Sequence, residues 1–140
     1  MDFLKKYKIV LASASPRRRE LLENMGLKFE IRPRSVREDF PPGLKKEDVA
    51  LFLSEKKAGD FAPDEIADNE IIIAADTIVC LGDTILNKPG NRDHAIEMLT
   101  LLSGKKHEVI TGVSFRIKSR LHSFYVSTDV YFKNISQAEI

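Results

Sequence analysis

The sequence predicts an α/β protein. Three observations carry that reading. A short apolar strand runs directly into a capped helix near the N-terminus, Glu70–Leu81 is strongly β, and two alternating runs after residue 107 suggest a long antiparallel hairpin.

The elements follow in order. Lys8-Ile9-Val10-Leu11-Ala12-Ser13 reads as a buried strand. Ser15 is a good N-cap, and Pro16 suits the first helical position, where its missing N–H is not needed. Leu21, Leu22 and Met25 repeat at helical spacing, and Gly26 stops that helix. Phe29–Arg32 is a second strand. Pro33, Pro41, Pro42 and Gly43, set among many charges, make 33–46 a loop. A helix from Asp48 to Lys57 turns Val49, Phe52 and Leu53 inward. Residues 59–70 connect it to the strand Glu70–Leu81; Gly82-Asp83 turns the chain, and Thr84-Ile85-Leu86 returns. Asn87-Lys88-Pro89-Gly90 breaks the chain, and a helix from about Asp93 to Ser103 follows, with Ala95, Ile96, Leu99 and Leu102 on one face and Gly104 at its end. Val109, Thr111, Val113, Phe115 and Ile117 then alternate with their neighbours, as do His122, Phe124, Val126, Thr128, Val130 and Phe132; Lys118-Ser119-Arg120 joins the two runs. Ser136-Gln137-Ala138-Glu139 reads as a capping box, with Ile135 and Ile140 placed as a hydrophobic staple. A helix is expected to begin there, and the chain is expected to be cut short of its natural length.

Composition narrows the class. The 140 residues, 43% hydrophobic and 31% charged, suit one globular domain with a single core. No apolar run nears the ~18 residues of a membrane helix, and the start of the chain lacks a signal peptide's apolar stretch, so a cytoplasmic protein is expected. The single Cys80 excludes an internal disulfide, and His94, His107 and His122 are too far apart for zinc spacing. The net charge of +1 is uneven: residues 1–37 carry a balance of +6 and residues 38–140 one of −5. A basic N-terminal segment points to an anionic ligand or to a solvated surface.

Several residues suit chemistry. Ser13-Ala14-Ser15-Pro16-Arg17-Arg18-Arg19 lies between a strand and a helix start, where backbone N–H groups, hydroxyls and guanidinium forks all favour phosphate oxygens. The plainer reading is a capped helix with solvated arginines. Asp76 follows five apolar residues, and a carboxylate there is costly unless paired, metal-bound or at a cleft. Its neighbour Thr77 would orient it or touch a ligand. Glu38-Asp39 is surface unless the fold brings it to Asp76, in which case two carboxylates would hold Mg²⁺. Lys56 and Lys57 end a helix, and spacing alone does not choose between them. Lys88 reads as a loop lysine, and His107 as a turn residue rather than a general base. P-loop, GxGxxG, HExxH and GxSxG patterns are absent, so a serine hydrolase is disfavoured. The few aromatics are not interleaved with the basic stretch, which disfavours an RNA-binding platform.

Taken together, the segments Leu11-Ala12-Ser13-Ala14-Ser15-Pro16-Arg17-Arg18-Arg19-Glu20-Leu21-Leu22, Lys57-Ala58, Ala75-Asp76-Thr77, Lys88-Pro89 and Leu102-Ser103-Gly104-Lys105-Lys106-His107-Glu108-Val109-Ile110-Thr111-Gly112-Val113 resemble the Maf family of nucleotide pyrophosphatases. The resemblance implies a single α/β domain over 1–140 with a mixed, elongated twisted sheet flanked by helices around a central cleft, similar to the inosine triphosphate pyrophosphatases. It implies hydrolysis of nucleoside triphosphates between the α- and β-phosphates, with a divalent metal, Mg²⁺ or Mn²⁺. By motif, Ser13, Arg17 and Arg18 contact substrate, Lys57 and Lys88 bind phosphates, Asp76 is the central carboxylate as metal ligand or general base, and Glu38 is the second acidic residue. The Lys-Ala pattern selects Lys57 over Lys56. Arg17 and Thr77 match the branch acting on dTTP and UTP; the branch acting on modified guanine nucleotides tends to have Trp and Gln there. Family members continue past this point with a region that lines the base side of the cleft, and the chain ends at Ile140 without it. The expected partners are a nucleoside triphosphate and, as one oligomeric option, a second copy in a homodimer; nucleic acid and membrane are not expected. The alternative is a non-catalytic nucleotide-binding regulatory protein linked to cell-division control.

Overall fold

The computed structural model describes residues 6–34, 36–86, 88–118 and 120–140. The first five residues, Ser35 in the charged loop, Asn87 in the chain break and Ser119 in the hairpin connection lie outside them. Among the described residues, three α-helices and six strands follow in the order β1 (Lys8–Leu11), α1 (Pro16–Asn24), β2 (Phe29–Ile31), α2 (Lys46–Gly59), β3 (Glu70–Leu81), β4 (Thr84–Leu86), α3 (Arg92–Leu102), β5 (Lys106–Ile117) and β6 (Arg120–Tyr131), with a 3-10 turn at Pro63–Glu65.

The strands form one mixed sheet in the order β2-β1-β3-β5-β6, with β4 also on β3. β1 lies parallel to β2 and β3, whereas β3–β4, β3–β5 and β5–β6 are antiparallel. The mixed pattern follows from the connections. A helix-bearing crossover returns the chain parallel, and a tight turn can only return it antiparallel.

Local signals set most boundaries. Ser15 caps α1 by accepting the Arg18 N–H, with Pro16 at the first helical position. Asn91 caps α3 by accepting the His94 N–H at 2.8 Å. Gly82 takes φ +59 in the β3–β4 turn, a conformation that favours glycine. α2 is longer than expected at both ends, and the connector after it supplies the buried Phe61 and Ile66.

The core lies between α2 and the sheet. One group joins Val10, Ala12, Ile72 and Ala74 to Ala58, Phe61 and Ile66. The other joins Val49, Ala50 and Leu53 of α2 to Ile78, Cys80 and Ile110, with Phe40 and Leu44 of the charged loop packed against it. Those two side chains hold the loop that carries Glu38. On β5 the residues beneath α2 are Ile110, Gly112 and Ser114, all buried. The alternate set, Val109, Thr111, Val113, Phe115 and Ile117, is only half-buried.

Two expectations are corrected. His107 is not in a turn. It is the second residue of β5, buried, with its ring edge-on to Phe132 at 4.7 Å, because the strand begins earlier than its alternation suggests. At the C-terminus Ser136 and Glu139 make a single turn, with the Glu139 and Ile140 N–H groups donating to the Ser136 carbonyl. Their side chains bond each other at 3.0 Å instead of crossing to backbone N–H groups as a capping box does. No helix among the described residues is long and apolar enough to cross a membrane.

Candidate active site

A break along one edge of β3 creates the site. β1 pairs with β3 only as far as Leu11–Ile73, and β4 begins pairing at Val79–Leu86. Ala74–Ile78, which contains Asp76 and Thr77, therefore faces a gap between β1 and β4. The chain leaving β1 brings Ser13 to one side of the gap, and the chain leaving β4 brings Lys88 to the other. Ligands gather at strand ends where the sheet divides. A cleft of about 510 Å³ lies here, lined by Ser13, Ser15, Arg18, Glu38, Lys57 and Lys88, with Arg34 also on its wall. That volume is in the range of small-molecule sites.

The α1 end of the cleft suits an anion. The Ser13 hydroxyl accepts the Ser15 N–H at 3.1 Å and keeps its own proton free to donate. The helix N-terminus adds partial positive charge, and Arg18 a permanent one. Arg17 is exposed on α1 and is not part of the cleft lining.

Facing this wall is an ionic cluster. Lys57, in the last turn of α2, donates to Asp76 Oδ1 at 2.7 Å and to Glu38 Oε1 at 3.3 Å. Lys88 Nζ lies 3.6 Å from the same Glu38 oxygen. The Asp76 side chain is only 5% exposed and Lys57 13%, whereas Glu38 is 45% exposed. Burial raises the Glu38 carboxyl, but the charges and hydrogen bonds of Lys57 and Lys88 outweigh it and hold the group below the ordinary 4.5. Lys56 turns the other way, donating to the Arg37 carbonyl at 2.7 Å and pairing with Asp39 at 3.5 Å. The choice that spacing left open thus falls on Lys57, and Lys56 fastens the loop that presents Glu38. Among the described residues no three or more His, Cys, Asp or Glu stand together as a metal cage. Asp76 and Glu38 remain as a donor pair, which fits a cation completed by phosphate oxygens and water.

Thr77 points to the opposite face of β3 from Asp76. Its hydroxyl accepts from Arg18 Nη2 at 3.4 Å and lies 3.0 Å from the Thr111 hydroxyl on β5.

Sequence reasoning assigned no role to Thr111, to Arg34 or to Arg116. Arg34 stacks on Phe61 at 4.4 Å and pairs with Glu65. Arg116 donates to the Ala58 and Phe61 carbonyls at 2.9 and 3.0 Å, fastening the α2 end that carries Lys57. Thr111 lay inside a recognised motif, so its alternation could have placed it beside Thr77. Arg34 and Arg116 had no comparable signal.

Residues 8–140 match the Maf-like protein family. The chain belongs to the Maf family. Among its relatives, a dTTP/UTP pyrophosphatase of Phocaeicola vulgatus is 43% identical over 141 residues, covering 100% of this chain and 72% of the relative. A dTTP/UTP pyrophosphatase of Flavobacterium johnsoniae is 42% identical over 137 residues, covering 98% and 70%. The fold is similar to that of the Staphylococcus aureus Ham1 protein, with a TM-score of 0.55 at 16% identity over 89% of this chain and 71% of that one. The expected mixed α/β architecture around a cleft is borne out.

Proposed function

We propose that this Maf-family chain hydrolyses dTTP and UTP to the nucleoside monophosphate and pyrophosphate. The observation that carries the reading is the buried Asp76 carboxylate paired with Lys57, whose ammonium lines a cleft of nucleotide size together with the cationic α1 N-terminus. The names of the relatives support the reaction and the bases.

A triphosphate carries about four negative charges, so cations must gather opposite it. Ser13, the α1 N-terminus, Arg18 and Lys88 take the phosphate oxygens, and Lys57 joins them. Asp76 accepts a proton from the attacking water. The water oxygen bonds to phosphorus, the α–β bridging bond breaks, and pyrophosphate leaves. Asp76 and Glu38 would hold Mg²⁺ or Mn²⁺, which when bound neutralises phosphate charge and acidifies water. Thr77, placed by Arg18 and Thr111, presents a hydroxyl on the other side of the strand for a pyrimidine carbonyl.

The test is pyrophosphate release from dTTP, UTP, 7-methyl-GTP and ITP, with Mg²⁺ or Mn²⁺. Preference for dTTP and UTP is expected. Preference for either purine overturns the base assignment, and no release from any of the four overturns the reaction.

A further inference from the structure

The Lys57 ammonium bridges Asp76 and Glu38, the two carboxylates that would hold a metal cation. It lies 2.7 Å from Asp76 Oδ1 and 3.3 Å from Glu38 Oε1, so one cation serves both. Asp76 is almost fully covered, and it does not itself line the cleft, whereas Lys57 does. A cation from solvent that takes Asp76 Oδ1 and Glu38 Oε1 must displace this ammonium. The two cannot share those oxygens without strong repulsion at short range in a partly buried setting.

We propose that Lys57 is a built-in counter-ion that keeps the Asp76–Glu38 pair closed to divalent cations until an anionic nucleotide draws its ammonium away. The inference rests on the two carboxylates being the metal-binding pair of the pyrophosphatase reading, and it adds an order to events. Free protein holds divalent cations poorly. Triphosphate oxygens offer Lys57 a competing partner, and its departure uncovers Asp76 both for the cation and for the water whose proton it accepts. Cation and nucleotide then strengthen each other's binding by the same factor, as linkage requires. Lys88 is suited to hold Glu38 in the closed state, since its ammonium lies 3.6 Å from Glu38 Oε1.

The experiment uses Mn²⁺ alone, without nucleotide, so its outcome is separate from whether the chain turns over dTTP. Bound Mn²⁺ is counted by the loss of the free-ion electron paramagnetic resonance signal, for the unsubstituted chain, Lys57→Met, Lys57→Gln and the double variant Lys57→Met/Asp76→Asn. Removing the ammonium is expected to tighten Mn²⁺ binding about tenfold or more, because a +1 charge leaves the immediate neighbourhood of the ion. The double variant is expected to lose that gain. Melting temperature gives a second reading. Lys57→Met leaves Asp76 buried and unpaired, so the variant melts early and Mn²⁺ raises its melting temperature well above the shift seen with Lys57 in place. Lys57→Gln serves where the methionine variant does not fold. Mn²⁺ affinity equal to or weaker than that of the unsubstituted chain in the folded variants overturns the proposal. So does a gain that survives Asp76→Asn, since the ion would then be binding elsewhere.

Discussion

Gly112 sets how closely α2 can approach the sheet, and replacing it with alanine should damage fold and site together. A Cβ at Gly112 would stand 2.3 Å from the Ala50 carbonyl oxygen, 2.6 Å from the Ala50 carbonyl carbon and 2.9 Å from the Leu51 nitrogen. These are backbone atoms inside a helix, so no side chain can swing aside. Relief requires α2 to retreat by about 1 Å to restore normal carbon contacts. That movement stretches contacts made by the same helix: Ser54 to Ser114, now 2.8 Å, and Lys57 to Asp76, now 2.7 Å. Overpacking of this kind costs about 1–3 kcal/mol, and weakening the buried Lys57–Asp76 pair adds to it, for roughly 2–4 kcal/mol in all. Gly112 is the cross-strand partner of Asp76, so the disturbance is centred on the site. A displacement of about 1 Å there is enough to lower turnover by around a hundredfold. Urea denaturation followed by circular dichroism measures the first effect, and pyrophosphate release at saturating dTTP the second. Gly59→Ala is the control, since nothing lies within 4 Å of its added Cβ and it ends the same helix; stability within about 1 kcal/mol of the parent is expected. If Gly112→Ala unfolds at the same urea concentration as the parent, the close approach does not constrain the helix and the reasoning fails.

Three further outcomes follow from the same contacts. Asp76→Asn keeps the size and removes the charge, so pyrophosphate release should fall about a thousandfold or more while circular dichroism stays native; near-normal turnover would remove Asp76 from the chemistry. Thr111→Val deletes the hydroxyl beside Thr77 while keeping the β-branched shape, and should narrow the preference for dTTP and UTP over purines with turnover changed less; Thr111→Ser should restore the preference, and an unchanged base profile would show that the pair does not reach the base. Glu70 accepts from Arg32 at 2.8 and 3.2 Å and from the Ala67 N–H at 2.9 Å; the Arg32 hydrogen bonds above all, then the Ala67 bond, hold its carboxyl below the ordinary 4.5. The unfolded chain therefore binds more protons in that range, so this contribution is complete above about pH 4.5 and lost as pH falls through the lowered value. Melting curves of Glu70→Gln between pH 3 and 6 should be flatter than the parent's on the acid side, and parallel curves would count against the linkage.

Much of this was legible because it is written locally. Ser15-Pro16 announced α1, the apolar run ending at Asp76 announced a strand that delivers a carboxylate, and Glu70–Leu81 matched β3 at both ends. The illegible parts depend on distance in sequence. Alternation in β5 could not say which set faces α2. The face that does so is not the more apolar one, because close helix approach demands Gly112 and Ser114 there. Lys57 and Lys56 are equivalent in a helical pattern and differ only in what the fold sets opposite each of them. Arg116 carries no local signal of its role, because two of its carbonyl partners lie 55 and 58 positions away.

The dipeptide Asp76-Thr77 explains how one strand edge can divide two tasks. Successive side chains on a strand point to opposite faces. Asp76 meets Lys57 from α2 on one face, and Thr77 meets Arg18 from α1 on the other. The carboxylate sits on the face that holds the packed core, where burial and a paired ammonium fix its position. The threonine sits on the less buried face, where its hydroxyl has two neighbours, Arg18 and Thr111. On the proposed reading, a residue change at position 77 would alter which base is accepted without disturbing the ionic cluster, whereas a change at position 76 would alter the chemistry for every base. The break in pairing between Ile73 and Val79 makes room for the cleft, because a β-strand laid along that edge would close the gap between β1 and β4.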